Sequence, residues 1–98
     1  MPVAVGMRYG TPSIASAVGA LLDAGADRIV VLPMFPQYAG ATTGSAVEAL
    51  LSAIGRRRVI PPIRVVPPYG DDRAYIDALA AVARDALARA DRPPDHLL

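Results

Sequence analysis

The chain has no cysteine, one histidine and no apolar run near the roughly 20 residues that a membrane-spanning helix needs. The missing cysteine excludes disulfides, thiolate metal sites and cysteine-ligated iron–sulfur clusters within these 98 residues. The single histidine, His96, has no second histidine or cysteine at ligand spacing, so no metal site is predicted within the chain. Lysine is also absent, and the ten arginines leave a net charge of only +1, which does not favour nucleic-acid binding.

The remaining composition is typical of one small globular domain. With 53% hydrophobic and 19% charged residues, the chain is predicted to form a single soluble domain over residues 1–98. The N-terminal sequence MPVAVGMRYG lacks the basic and apolar regions of a signal peptide. A cytoplasmic location is therefore expected.

Short apolar strands are predicted at three places. Val3–Met7 is the first, and Arg28–Phe35 is the second. Because the second is continuously apolar after its arginine, it is predicted to be a central strand that is covered on both faces. The third, Ile63–Val66, is bounded by proline pairs.

Each strand is followed by a segment with the apolar spacing of a helix. The first helix is predicted to begin with Thr11 as its cap and Pro12 in its first turn, and to end before Gly25. The third is predicted to begin at Asp71 or Asp72. The residues predicted to face inward are Ile14, Ala17, Val18, Leu21 and Leu22, then Val47, Leu50, Leu51 and Ile54, then Ile76, Leu79, Ala83 and Leu87.

The order βαβαβα predicts an α/β fold, namely a three-layer, Rossmann-like open parallel sheet with three strands and three helices. Three strands leave unpaired sheet edges, and these allow self-association. The chain also stops at DHLL as if another strand were starting, so we interpret it as a fragment.

In such folds, ligands bind in the crevice outside the carboxyl ends of the strands. The loops that leave the three predicted strands carry three of the four tyrosines and Arg8, which has no obvious helical partner. Thr42, Thr43 and Ser45 add hydroxyls and free backbone amides at a predicted helix N-terminus, where anions are stabilised. This rim suits a flat, anionic ligand, and a nucleotide fits it as well as any other.

Several of these features also have a purely structural interpretation. The three hydroxyls suit helix capping as well as ligand binding, and their spacing does not distinguish the two. Tyr69 and Tyr75 fit side-chain packing better than ligand binding, and Arg56–Arg58 fits a solvated helix C-terminus. No Ser-His-Asp, Cys-His or P-loop pattern is present.

Four segments together resemble the ferrochelatase family in their order and separation. They are MRYGTPSI (residues 7–14), RIVVLPMFPQYAGATTGS (28–45), DDRAYIDALA (71–80) and the closing PDHLL. The likeness covers essentially the whole chain, and PQY…TTGS is its most specific part. It implies an internal fragment of the N-terminal Rossmann-like half of a lyase that inserts ferrous iron into a porphyrin, protoporphyrin IX or coproporphyrin III, in haem biosynthesis.

The resemblance also implies roles for individual residues. The loop from Tyr38 to Ser45, with Thr42 and Thr43, would line the porphyrin cleft. Arg8 would face a propionate, and Tyr9 the face of the macrocycle. The parent enzyme is expected to distort the macrocycle while a histidine accepts pyrrole protons. That histidine and an essential acidic residue fall beyond the end of this chain, so no catalytic residue is predicted within it and the chain alone is expected to be inactive.

Some members of the family ligate an iron–sulfur cluster partly from the loop that matches Ala39–Ala41. In those members a cysteine of this loop is a cluster ligand, and Gly40 stands at its position here. No iron–sulfur cluster or other bound cofactor is therefore expected. Ferrous iron is a substrate of the family. Three alternatives remain. One is a non-catalytic tetrapyrrole- or anion-binding module, and another is a half-chelatase that an oligomer completes. A third is a truncated product without function, since so small a domain is only marginally stable.

Overall fold

A computed structural model describes residues 1–92 and 94–96. The chain forms two compact units, Met1–Pro68 and Tyr69–Leu98. The predicted strand start in the closing DHLL includes Leu97 and Leu98, which lie outside the described residues. The elements are, in chain order, α1 (Ile14–Asp23), β1 (Ile29–Val31), a π-helical turn (Gly40–Gly44), α2 (Ser45–Gly55), β2 (Ile63–Val65) and α3 (Arg73–Ala88).

Helix α1 begins later than predicted. Its N-cap is Ser13, whose Oγ accepts a hydrogen bond from the Ser16 amide at 3.1 Å and whose carbonyl accepts one from the Ala17 amide at 3.0 Å. The prediction that Thr11 caps the helix and Pro12 lies in its first turn was therefore wrong. The reason is that Ser13, two residues after Thr11, also has a side chain that can cap a helix.

The other end of α1 follows the predicted glycine signal. Gly25 has a φ of +83°, which favours glycine. Its amide donates to the Leu22 carbonyl at 2.9 Å, and the Ala26 amide donates to the Leu21 carbonyl at 3.0 Å. This pair of bonds is a Schellman motif, and it confirms that Gly25 lies just past the helix.

The two strands pair in parallel, as the sequence predicts for strands separated by a helix. Ile29 is in register with Ile63 and Val31 with Val65, and the Val66 amide donates to the Val31 carbonyl at 2.9 Å. Strand β1 is shorter than the predicted segment 28–35. One reason is that Pro33 has no amide to contribute to the ladder.

The predicted first strand is not formed in the described part of the chain. Met7 makes only an isolated bridge with Ser13, and its amide donates to the Pro12 carbonyl at 2.7 Å, within its own loop. Residues 1–4 and β1 instead line an open cavity of about 780 Å³. In the described part of the chain the sheet therefore has two strands where three were predicted.

The core of the first unit lies on one face of this sheet. Val18, Leu50 and Ile54 form the buried cluster. The side chains packed against it are Ile14, Leu22, Val31, Ile63 and Val65. Helices α1 and α2 pack against each other, and Val30, whose side chain points to the opposite face of the sheet, is 63% exposed. The prediction that this strand is covered on both faces was wrong.

Apolar spacing also misassigned some helix positions. Leu51 was predicted to face inward and is 57% exposed, whereas its neighbour Leu50 is 4% exposed.

Helix α3 begins after Asp72 as predicted, and the Asp72 carboxylate accepts a hydrogen bond from the Tyr75 amide at 3.1 Å. No residue of α3 is buried, because the described residues of its own unit form no second helix or strand to cover the predicted inward face.

Among the described residues, no helix combines the length and apolar character that crossing a bilayer requires.

Replacing Gly6 by alanine is expected to lower the free energy of unfolding by about 1–3 kcal/mol, the usual cost of an overpacked contact. A methyl group there would lie 2.9 Å from the Ile14 backbone Cα, closer than packed atoms allow. Urea unfolding followed by far-UV circular dichroism measures the change. Gly55→Ala is the matched control, because its added methyl group meets nothing within 4 Å. Equal free energies of unfolding for the two variants would contradict the close approach of Gly6 to the Ile14 backbone.

Candidate functional site

Arg8 and Ser45 join two of the predicted loops. The Arg8 Nε donates to the Ser45 Oγ at 2.7 Å and to the Ser45 carbonyl oxygen at 3.1 Å. These residues are 37 positions apart in the sequence. The sequence places both residues on the same predicted rim, and it gives no sign that they bond to each other.

Arg8 also lies over the ring of Tyr9. Its guanidinium carbon is 4.6 Å from the ring centroid, which is within the range of a cation–π contact. Tyr9 is 74% exposed, which leaves part of its ring accessible. Among the described residues, no aspartate or glutamate forms an ion pair with Arg8.

The loop that holds Ser45 contains a π-helical turn at Gly40–Gly44. The Gly44 amide donates to the Ala39 carbonyl at 3.1 Å, and the Ser45 amide donates to the Gly40 carbonyl. The helical backbone thus starts before the threonines and runs directly into α2. Turns of this type are rare and are frequently found at functional sites.

This early start rules out the capping interpretation of the three hydroxyls. The N-cap residue of the π-helical turn, Ala39, and the residue before α2, Gly44, make no side-chain capping bond. The Thr42 hydroxyl donates back to the Ala39 carbonyl at 3.2 Å, and Ser45 accepts from Arg8. Thr43 is only 6% exposed, and its Oγ1 has no hydrogen-bond partner among the described residues.

Tyr38 lies over the π-helical turn. Its hydroxyl is 3.1 Å from the position that a Cβ on Gly44 would occupy, and its Cζ is 3.7 Å from the same point. The absence of a side chain on Gly44 therefore allows the phenol to approach the backbone closely. Tyr38 is 65% exposed, which leaves its ring accessible.

These contacts define the Arg8–Tyr38 cluster, which consists of Arg8, Tyr9, Tyr38, Gly44 and Ser45. It presents one cation, two exposed aromatic rings and a hydroxyl on the surface of the first unit. Sequence reasoning missed Gly44, because a glycine beside two threonines is equally typical of an ordinary loop. It also missed the π-helical turn, for which the residues carry no clear signal.

Tyr69 and Tyr75 lie in the second unit and contact each other there. Their ring centroids are 5.9 Å apart at an angle of 89°, an edge-to-face arrangement that supports the packing interpretation.

The cluster contains no histidine, cysteine or carboxylate side chain. In residues 1–92 and 94–96 no group of three histidine, cysteine, aspartate or glutamate side chains could hold a metal ion. The arrangement is instead suited to binding, with flat aromatic surface beside a guanidinium group.

The chain is similar to known proteins over nearly its whole length. A family model described as ferrochelatase matches residues 1–98. The chain is 49% identical over 92 residues to a ferrochelatase of Rhizobium meliloti (strain 1021) and 48% identical to one of Rhizobium etli (strain CIAT 652). Each match covers 94% of this chain and 27% of the relative, so the chain spans about a quarter of their length. No solved structure gives a significant match.

Proposed function

Because the chain belongs to the ferrochelatase family, we propose that it forms one wall of the porphyrin cleft of an enzyme that inserts ferrous iron into a porphyrin. The reaction would serve haem biosynthesis, with protoporphyrin IX or coproporphyrin III as the porphyrin substrate and ferrous iron as the second substrate. We expect the enzyme in the cytoplasm and without an iron–sulfur cluster. In it, β1 and β2 would belong to a three-layer, Rossmann-like sheet to which Val3–Met7 adds a strand.

The observation that carries this proposal is the Arg8–Tyr38 cluster. A porphyrin is a flat aromatic ring with carboxylate side chains, and the cluster offers a matching set of groups. The exposed rings of Tyr9 and Tyr38 would contact the macrocycle. Arg8 would bind a propionate carboxylate, because its charge has no acidic partner among the described residues.

The hydroxyl residues of the same loop would complete the wall. Thr42 and Ser45 are half-buried and border the surface that the tyrosines occupy. Thr43 is buried, so its hydroxyl would act only on a ligand that reaches beneath that surface. The chain's own contribution to the reaction is thus to bind and orient the porphyrin. Proton transfer from the pyrrole nitrogens would fall to a histidine elsewhere in the complete enzyme.

Loss of the Arg8 side chain is expected to weaken porphyrin binding by about tenfold, since a hydrogen-bonded charge pair contributes more than a neutral contact. Tyr38→Phe is expected to weaken it by about threefold through loss of one hydroxyl. A titration of the 98-residue chain with porphyrin, followed at the Soret band, measures both.

Arg58→Ala is the matched control for charge. Arg58 lies beyond the C-terminal end of α2, and Ser45 lies at the N-terminal end. The 11 residues of this helix extend over about 16 Å. Unchanged affinity in both Arg8→Ala and Tyr38→Phe would count against the assignment, as would an equal loss in Arg58→Ala.

A further inference from the structure

The Arg8 guanidinium is held on one side only. Arginine has five N–H donors, one on Nε and four on the two terminal nitrogens. The Nε–H is shared by the two oxygens of Ser45. The four remaining donors have no hydrogen-bond or ion-pair partner within the described chain.

A second contact restrains the same group. The guanidinium lies over the Tyr9 ring at 4.6 Å, so the tyrosine limits tilting while Ser45 limits rotation about the end of the side chain. Together the two contacts hold an exposed side chain that would otherwise sample many rotamers. Such preorganisation reduces the entropy lost when a ligand binds.

We propose that Ser45 is a positioning residue that orients Arg8 to bind a carboxylate of the substrate through its two terminal nitrogens. A carboxylate can approach an arginine side-on, through Nε and one terminal nitrogen, or end-on, through both terminal nitrogens. Because Ser45 occupies Nε, only the end-on approach remains. This inference rests on the proposed function and assigns to Ser45 a role other than direct contact with the substrate.

The competing explanation is that the Arg8–Ser45 bond only ties two loops together. In that case Ser45→Ala would disturb the whole surface and would weaken the binding of every porphyrin equally. A positioning role acts through the carboxylate alone. The two explanations therefore differ in their response to a porphyrin without free carboxylates.

The test compares a porphyrin with free propionates and its dimethyl ester, each titrated in the same detergent solution with wild type, Ser45→Ala and Ser45→Thr. Ser45→Ala is expected to weaken binding of the free acid by about fivefold, because the Ser45 carbonyl still accepts from Nε. Binding of the ester should stay within about twofold, and Ser45→Thr, which keeps a hydroxyl, should restore binding of the acid. Equal weakening for both porphyrins, or none for the acid, would overturn the proposal.

A second measurement separates this inference from the proposed function. In the ligand-free chain, the Arg8 Nε–H should give a ¹⁵N-correlated NMR signal that exchanges slowly with water in wild type and Ser45→Thr but rapidly in Ser45→Ala. If wild type binds neither porphyrin, the proposed function fails, and this signal alone decides whether Ser45 orients Arg8. Equally rapid exchange in all three proteins overturns the positioning role.

Discussion

Leu50→Ala is expected to lower the free energy of unfolding by about 3 kcal/mol, the usual cost of removing a fully buried leucine side chain. Leu50 is 4% exposed and belongs to the buried cluster with Val18 and Ile54. Because this cluster is small, neighbouring side chains can fill the resulting cavity only in part. Urea unfolding followed by circular dichroism should show a lower midpoint with an unchanged slope.

The adjacent leucine is a matched control. Leu51→Ala removes the same atoms from the same helix, but the Leu51 side chain is 57% exposed. Its effect should stay within about 0.5 kcal/mol, as for most surface substitutions. The apolar spacing of the sequence predicts similar losses for both leucines, whereas the structure predicts very different ones. Similar losses would show that α2 packs with a different face than described.

The isolated chain, supplied with porphyrin and ferrous iron, is expected to bind the porphyrin and to insert no iron. Metal insertion requires a base to accept the pyrrole protons. The first unit, residues 1–68, contains no histidine, and the Arg8–Tyr38 cluster consists of a guanidinium, two phenols, a glycine and a hydroxyl. The imidazole side chain, which most often accepts a proton in catalysis, is therefore absent from the unit that contains the cluster.

The measurement is the Soret and visible absorption of the mixture under anaerobic conditions, with a complete ferrochelatase as the positive control. A shift of the Soret band without the spectrum of the metalloporphyrin is the expected outcome. Iron insertion by chain that has been freed of any full-length enzyme would refute it. A rate that rises with the square of the chain concentration would favour the half-chelatase that an oligomer completes.

Part of the candidate site was predictable from sequence. The rule that ligands bind at the carboxyl ends of parallel strands selects the loops of Arg8, Tyr9, Tyr38 and Ser45 from the sequence alone. Their mutual contacts were not predictable, because Arg8 and Ser45 are 37 residues apart and meet only when the loops converge. The capping interpretation of the hydroxyls failed for a related reason, since no local signal marks the π-helical turn.

Features that depend on a few neighbouring residues were determined by the sequence itself. The end of α1 at Gly25 and the start of α3 after Asp72 follow from hydrogen bonds that span three to five residues. Strand β2 lies between proline pairs, which have no amide to extend a ladder. The motifs that resemble ferrochelatase likewise lie in continuous segments of the chain.

Which surfaces are covered was decided only by the tertiary structure. Val30 and Leu51 are as apolar as the buried Leu50, yet they are exposed because α1 and α2 both pack on one face of a two-stranded sheet. Val3–Met7 has the composition of a strand but makes only the isolated Met7–Ser13 bridge among the described residues. Burial and strand pairing depend on which other segment packs against a surface. The sequence of one segment does not specify that other segment.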